Sequence, residues 1–185
     1  LAGMEALVRW RHPRLGLLVP GRFVPLAEDC GLIWELGLAV MDLAVAQLAA
    51  WDRAGLQVPR IAVNVSPAQL RPELVERIAE ILERHGVDAC RLEIELTESA
   101  LTADGPAANG LLQALRRMGA SIAIDDFGVG YSSLTLLRRL PISALKIDRS
   151  FVAELASNRQ DAAIVEAILR MAHSVGLRTV AEGVE

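Results

Sequence analysis

The chain has 185 residues, 52% of them apolar and 23% charged, which excludes a disordered chain and allows one domain with a substantial core. Nineteen basic residues against 23 acidic ones give a net charge of −4, so there is no electrostatic reason to expect DNA or an anionic membrane surface as the main partner. Cys30 and Cys90 lack the spacing of metal ligands, and we expect both to be unreactive core residues.

The N-terminal residues show no basic segment followed by a small-residue cleavage site, so we predict no secretory signal and expect a cytoplasmic location. The most apolar stretch, residues 36–51, is interrupted by Asp42 and Gln47, which favours a helix of the protein core over a transmembrane helix. We therefore expect no membrane segment in this sequence.

Strand-like and helix-like segments follow one another along the chain. Six short apolar runs predict strands, at residues 4–10, 61–65, 91–96, 122–125, 144–148 and 179–182. Apolar residues at three-to-four spacing predict helices at residues 23–31, 32–54, 68–84, 106–118, 132–139 and 159–175, with a turn-rich connection at 12–21. Ser66 and Pro67 are the expected N-cap and first residue of the helix at 68–84. This alternation predicts an α/β protein with a parallel sheet, either doubly wound or closed into a barrel.

A polar residue stands at or near the C-terminal end of every predicted strand. These residues are Glu5, Asn64, Glu95, Asp125, Lys146 and Glu182. In a doubly wound sheet only the strands at the switch point reach the ligand, whereas all strands of a barrel contribute to its mouth. We therefore predict a (β/α)8 TIM-like barrel, present here as an incomplete segment of about six β/α units. Because such a barrel has eight strands, we expect residues 1–185 to be a single domain truncated at both ends.

Two adjacent carboxylates, Asp125 and Asp126, stand at the end of the fourth predicted strand and precede a glycine-rich loop. At the mouth of a buried strand, two neighbouring carboxylates cannot both be desolvated cheaply unless they share a cation. A metal site is one explanation, and a turn former with a helix N-cap is another. Glu5, Asn64 and Glu95 add three oxygen donors that the turn does not explain, so the metal site is favoured.

Oxygen donors without histidine or cysteine favour Mg²⁺ or Mn²⁺ over Zn²⁺. The predicted ligands of a first ion are Glu5, Asn64, Glu95 and Asp125, and Asp126 would bridge to a second ion. Two such ions activate a water and stabilise the leaving oxygen of a phosphodiester. Lys146, the only lysine of the chain, would then lie near the attacking water or the phosphoryl oxygens. Glu182 is the candidate general base or proton relay.

Each of these residues has a simpler explanation when it is taken alone. Glu5 or Glu95 could be a solvated strand end, Asn64 a turn residue, Lys146 an ion-pair partner of Asp148, and Glu182 a loop carboxylate. Their joint placement favours a functional site. Metal-assisted proton abstraction next to a carboxylate is a rival chemistry on the same kind of barrel, but it needs only one metal and leaves the adjacent aspartates unexplained.

Seven motifs occur in order along the chain. They are Glu5-Ala6-Leu7-Val8-Arg9-Trp10, Phe23-Val24-Pro25-Leu26-Ala27-Glu28, Asn64-Val65-Ser66, Glu95-Leu96-Thr97-Glu98-Ser99, Asp125-Asp126-Phe127-Gly128-Val129-Gly130-Tyr131-Ser132-Ser133, Leu145-Lys146-Ile147-Asp148 and Ala181-Glu182-Gly183-Val184-Glu185. With these motifs the chain resembles the EAL domain family, the bacterial phosphodiesterases that linearise cyclic di-GMP. The likeness covers essentially the whole chain, and seven motifs in the right order are very specific.

The resemblance implies a role for each matching residue. Glu5, Asn64, Glu95 and Asp125 match the family's first-metal ligands, and Asp126 matches its second-metal ligand. Glu5 is also implied in catalysis, with Lys146 as the lysine that contacts the catalytic water and Glu182 as the base or second-metal contact. Arg9 matches an arginine that holds a substrate phosphate, and Leu7 is implied as a substrate contact. Glu98 matches the anchor of the loop from Asp126 to Ser133, where Ser132 is a further anchor.

The resemblance therefore implies an active cyclic di-GMP phosphodiesterase that uses two Mg²⁺ or Mn²⁺ ions and produces linear pGpG. It also implies a homodimer formed through the loop that follows the family's strand five, with sensor or GGDEF-type domains possible outside this segment. The alternative is a catalytically inactive EAL module that binds cyclic di-GMP or a protein partner. Such modules usually lose the ligands or the loop motif, and both are retained here, although Val129 replaces the usual Thr or Ala of that loop.

Overall fold

The structure, a computed structural model, describes residues 1–98, 100, 105–129, 140–155 and 157–184. The strands are β1 (Met4–Ala6), β2 (Trp10–His12), β3 (Gly16–Leu18), β4 (Ile61–Asn64), β5 (Leu92–Thr97), β6 (Ser121–Phe127), β7 (Ala144–Ile147) and β8 (Arg178–Ala181). The helices are α1 (Val24–Asp29), α2 (Ile33–Arg53), α3 (Glu73–His85), α4 (Gly105–Met118), α5 (Arg149–Ala153) and α6 (Arg159–Ser174). Short 3₁₀ turns lie at Pro20–Arg22, Pro67–Gln69 and Ala89–Arg91.

Six of the strands form one parallel sheet in the order β1-β4-β5-β6-β7-β8. The sheet is curled, because Lys146 on β7 contacts Glu5 on β1, and Arg178 on β8 pairs with Glu93 on β5, although neither pair of strands is adjacent in the sheet. The predicted α/β class and TIM-like barrel, with about six β/α units in this segment, are therefore confirmed. That the chain is one domain truncated at both ends stays a prediction.

The outer face of the curled sheet packs against the helices, and this contact forms the apolar core. Ile94 on β5, Leu48 on α2, Ile78 on α3 and Leu112 on α4 are all fully buried in one cluster. Burying an aliphatic side chain of this size stabilises a fold by about 1.5–3 kcal/mol. Since the core holds each strand against its neighbours, it also sets where the C-terminal strand ends lie.

Helix α2 is long and apolar enough to cross a membrane by length and composition alone. In the fold it packs against α3 and β4, with Met41, Val45 and Leu48 buried in the core. This packing agrees with the prediction that residues 36–51 belong to a helix of the protein core.

The region after β1 differs from the predicted strand and turn. The strand expected at residues 4–10 ends at Ala6, and β2 pairs with β3 in an antiparallel hairpin that was not predicted. In its turn, His12 Nδ1 accepts hydrogen bonds from the backbone amides of Arg14 and Leu15, each at 3.1 Å. Two strands of three residues are too short to show an alternating pattern, so the composition indicated only turns.

The helices differ from the prediction in two places. The helix expected at 68–84 is divided, because Pro72 disfavours helical backbone at the residue before it and α3 starts only after it. Ser66 and Pro67 are the N-cap and first residue of the short 3₁₀ turn Pro67–Gln69 instead. Helix α5 was not predicted, and the helix expected at 132–139 lies outside the described residues.

The two cysteines were wrongly predicted to lie in the core. Both are unpaired and exposed. Cys30 is the C-cap of α1 and Cys90 lies in the 3₁₀ turn before β5, where short connecting segments present one side to water.

Candidate metal and catalytic site

A buried lysine lies at the centre of an acidic cluster at the C-terminal ends of the strands. The side chain of Lys146 on β7 is 6% exposed, and its Nζ lies near four carboxylates. The distances are 2.7 Å to Glu182 Oε1, 2.9 Å to Glu95 Oε2, 3.2 Å to Asp125 Oδ1 and 3.4 Å to Glu5 Oε2. One ammonium thus faces four acidic groups, and this excess of negative charge attracts further cations.

Strand register brings these groups to one edge. Asn64 pairs with Glu95 at the C-terminal end of β4, and the amide of Glu182 donates a hydrogen bond to the carbonyl of Ile147 at the end of β7. The Asn64 Nδ2 donates to Glu5 Oε1 at 2.8 Å, which fixes the Asn64 amide against that carboxylate. All six polar strand-end residues named from the sequence are therefore brought together.

A β-bulge in β6 places two consecutive carboxylates on the site. In one part of the β6–β7 pairing, two residues of β6 lie opposite a single residue of β7. These two residues are Asp125 and Asp126. Asp126 has φ of 53°, a left-handed conformation that costs an L-residue roughly 1–2 kcal/mol but that aspartate adopts more readily than most residues. Its amide donates to Asp125 Oδ1 at 3.1 Å. Consecutive side chains of a regular strand point to opposite faces, so the bulge is what allows both carboxylates to serve one site.

Burial changes the proton affinity of the cluster. Burial raises the pKa of Glu95 to about 8, the charges of Glu5 and Asp125 add to this rise, and Lys146 opposes it. Burial also raises the pKa of Glu182, although its hydrogen bond with Lys146 acts in the opposite direction.

For Lys146, burial alone would lower the pKa, but the hydrogen bond to Glu182 and the charge of Glu95 raise it above its ordinary value. The pKa of Lys146 rises as in a favourable ion pair, whereas that of its partner Glu95 does not fall. Burial is the main reason, because it raises the pKa of Glu95 more than Lys146 lowers it, and Lys146 is also shared among four carboxylates. Burial therefore favours a protonated carboxyl group in the cluster, and a bound divalent cation would favour loss of that proton.

Asp148 extends the cluster and was not predicted as a site residue. Its carboxyl group shares a hydrogen bond with Asp126. Burial raises the pKa of Asp126, and the charges of Asp125 and Asp148 add to the rise, whereas the hydroxyl of Ser150 lowers the pKa of Asp148. Its position two residues after Lys146, at the end of the same strand, was the available signal in the sequence.

Two overlapping groups of carboxylates could each hold a cation. The first is formed by Glu5, Glu95 and Asp125, and the second by Asp125, Asp126 and Glu182. Within each group, one oxygen from every residue lies within 4.8 Å of the others. Asp125 belongs to both groups, as a bridging ligand would. Carboxylate oxygens are hard donors, so the residues present fit Mg²⁺ or Mn²⁺.

The other predicted residues that the structure describes are Leu7, Arg9 and Glu98. Leu7 lines a cavity of about 560 Å³, whereas Arg9 lines a neighbouring apolar cavity of about 440 Å³ and donates from Nη1 to the Val8 carbonyl at 2.8 Å. Glu98 is buried directly after β5. Ser132 lies outside the described residues, so its predicted role as a loop anchor stays a prediction.

The larger cavity opens beside the acidic cluster. It reaches the cluster at Asn64 and Glu95 and extends along α1, α2 and the 3₁₀ turn after β4, where Glu28, Gly37 and Gln69 line it. Its volume of about 560 Å³ is within the range of small-molecule sites, roughly 300–1,000 Å³. The arrangement therefore provides room for an organic ligand next to carboxylates that can hold cations.

Comparisons with known proteins agree with this architecture. Two curated relatives come from Pseudomonas aeruginosa. The bifunctional diguanylate cyclase/cyclic di-GMP phosphodiesterase MucR is 47% identical over 186 residues, covering 100% of the chain and 27% of MucR. The cyclic di-GMP phosphodiesterase NbdA is 48% identical over 183 residues, covering 98% of the chain and 23% of NbdA. The chain thus spans about a quarter of the length of these relatives.

A solved structure and a family model extend the comparison. The structure of the PaMucR phosphodiesterase in complex with c-di-GMP matches with a TM-score of 0.94 at 47% identity, covering 100% of the chain and 75% of the solved chain. The EAL domain model matches residues 1–185. The chain therefore belongs to the EAL domain family.

Proposed function

We propose that the chain is the catalytic domain of a metal-dependent phosphodiesterase that hydrolyses cyclic di-GMP to linear pGpG. The observation that carries the proposal is the group of four carboxylates around Lys146, which includes every acidic strand-end residue. Relatives named as cyclic di-GMP phosphodiesterases, one of them solved with c-di-GMP, support the choice of substrate. The alternative of an inactive receptor module is less favoured, because it does not require this cluster.

Two divalent cations, Mg²⁺ or Mn²⁺, form part of the proposal. One would be held by Glu5, Asn64, Glu95 and Asp125, and the other by Asp125, Asp126 and Glu182. When bound, the cations would supply an activated water and stabilise charge on the leaving oxygen.

The residues of the chain would position and protonate the reacting groups. In the hydrolysis, a water oxygen bonds to phosphorus, the P–O3′ bond breaks, and O3′ takes up a proton. Lys146, kept as ammonium by its acidic neighbours, holds a positive charge beside the phosphoryl oxygens. Glu182, whose Oε1 lies 2.7 Å from the Lys146 Nζ, accepts the proton of the water. We assign Leu7 to the wall of the substrate cavity, and Arg9, which lines the neighbouring cavity, to a substrate phosphate.

The first test is cyclic di-GMP hydrolysis by the intact protein in Mg²⁺ or Mn²⁺, followed by chromatography of pGpG. We expect turnover that disappears in excess EDTA and returns when the cation is restored, because the carboxylates repel the substrate phosphates unless cations neutralise them. EDTA already saturated with the cation used in the assay is the control and should leave the rate unchanged. Tight binding of cyclic di-GMP without turnover in either cation would instead support the receptor alternative.

Asp126→Asn tests the second cation. We expect kcat to fall at least about 100-fold while KM changes little, because the second cation acts on the transition state more than on the bound substrate. Asparagine tolerates the φ of 53° at this position, so the bulge should persist. The exposed Asp88, before the 3₁₀ turn Ala89–Arg91, provides the control variant Asp88→Asn. A kcat near wild type in Asp126→Asn would show that one cation suffices.

We further propose that the intact protein forms a homodimer through the loop from Asp126 to Ser133 and carries sensor or GGDEF-type domains. The name of MucR includes a diguanylate cyclase, and the chain covers 27% of MucR, which supports additional domains. Analytical ultracentrifugation of the intact protein would test the dimer.

A further inference from the structure

Gly37 occupies an unusual place in helix α2. It lies in the interior of a 21-residue helix, where glycine is less favourable than alanine. A Cβ at this position would lie 1.7 Å from Nε2, 2.5 Å from Cδ and 2.8 Å from Oε1 of Gln69. The side chain of Gln69 therefore occupies the space that any larger residue at position 37 would need. In contrast, a Cβ on Gly110 of helix α4 would meet nothing within 4 Å.

Gln69 connects helix α2 to the segment that follows β4. Its side chain is buried, with the residue 3% exposed, and its Oε1 accepts a hydrogen bond from the Ser66 amide at 3.0 Å. The Ser66 Oγ in turn accepts from the Ala68 amide at 3.3 Å and donates to Glu28 Oε1 on α1 at 2.6 Å. The Gln69 side chain thus lies against α2 at Gly37, while the Ser66 hydroxyl links the same segment to α1.

The same segment determines where Asn64 lies. Ser66 is two residues beyond Asn64, and the residue between them donates its amide to the carbonyl of Glu95 at 2.9 Å. Asn64 itself donates to Glu5 at 2.8 Å, at the edge of the first carboxylate group. Only one residue separates Ser66 from Asn64, so we expect a shift of Ser66 to be transmitted to Asn64.

We propose that Gly37 and Gln69 are positioning residues for Asn64 and for the cation held with it. The missing side chain at position 37 admits the Gln69 amide, this amide holds Ser66, and Ser66 orients Asn64. The inference rests on the proposed function and deepens it, since it concerns the cation that Glu5, Asn64, Glu95 and Asp125 would bind. Groups that orient metal ligands typically change metal affinity by about 10–100-fold when they are removed.

The first test compares two glycines in the intact protein by their thermal unfolding midpoints. Gly110→Ala should raise the midpoint by about 2 °C, because alanine favours a helix and the site is open. Gly37→Ala should lower it by about 4 °C or more, because Gln69 must leave its place. In a Gln69→Ala background the clash is gone, so Gly37→Ala should raise the midpoint as Gly110→Ala does.

The second test separates positioning from packing. Gln69→Met fills a similar volume, but its thioether is only a weak acceptor for the Ser66 amide, so Mn²⁺ affinity measured by calorimetry without nucleotide should fall about 10-fold. The exposed Gln113 on α4 provides the control, since Gln113→Met should leave the affinity unchanged.

Unchanged Mn²⁺ affinity in Gln69→Met, or no Mn²⁺ binding by the wild type, would overturn the inference. If Gly37→Ala raised the thermal unfolding midpoint in both the wild-type and the Gln69→Ala background, the inference would also be overturned. If Gly37→Ala fails to fold, addition of Gln69→Ala must restore folding, and failure to do so also overturns it. None of these measurements uses cyclic di-GMP. A protein that binds Mn²⁺ but does not hydrolyse cyclic di-GMP would contradict the proposed function, and the Mn²⁺ measurements would still test the positioning role of Gly37 and Gln69.

Discussion

Replacing Lys146 with methionine is expected to abolish hydrolysis of cyclic di-GMP, with a loss of at least about 10²–10³-fold in kcat. Methionine keeps the length and apolar stem of the side chain but removes the ammonium that lies within 3.4 Å of four carboxylates. The reacting phosphate then loses a fixed positive charge. In addition, removing one partner of a buried ion pair typically costs about 3–5 kcal/mol of stability.

This second effect makes the Lys146→Met prediction measurable without substrate. In EDTA, the variant should unfold at a lower temperature than the wild type, and Mn²⁺ should restore more of its stability than it adds to the wild type, because the cation supplies the missing charge. Arg77→Met, at an exposed surface pair with Glu80, is the matched control and should change neither property. Wild-type turnover by Lys146→Met would remove Lys146 from the proposed mechanism.

Glu5→Gln is expected to lower kcat/KM at least about 10³-fold while cyclic di-GMP still binds. The amide is isosteric with the carboxylate but has no charge, so the first carboxylate group would hold its cation more weakly. A bound cation stabilises the transition state by several kcal/mol, and each 1.36 kcal/mol of lost stabilisation lowers the rate about tenfold. Loss of the cation therefore accounts for a decrease of this size. Binding should survive because the cavity beside Leu7 remains.

Calorimetry with cyclic di-GMP and steady-state kinetics on the same Glu5→Gln preparation separate the two effects. Glu80→Gln, an exposed carboxylate on α3, is the control for a change of one charge. If Glu5→Gln lost nucleotide binding and turnover in equal measure, Glu5 would act in substrate binding and not as a cation ligand.

Much of the fold could be predicted because it depends on local patterns. Short apolar runs at 61–65, 91–96 and 144–148 alternate with helical periodicity, and the predicted strands appear as β4, β5 and β7. The β2–β3 hairpin and helix α5 were missed because elements of three to five residues carry too little periodicity to be recognised.

The site was partly predictable for a different reason. The residue types at the strand ends indicated oxygen ligands, and parallel strands bring their C-terminal ends to one edge. Their mutual contacts were not predictable in the same way, because Lys146 and Glu5 are 141 positions apart and meet only when the sheet curls. The contact of Gly37 with Gln69 likewise requires α2 to pack beside the segment after β4.

The sequence by itself determined the α/β alternation and the chemical character of the strand ends, since both follow from local composition and spacing. Only the tertiary structure decided that Lys146 lies among four carboxylates and that Asp125 and Asp126 serve the same site. A regular strand would direct those two aspartates to opposite faces. The bulge that prevents this is defined by pairing with β7, and the pairing is set by residues distant in the chain.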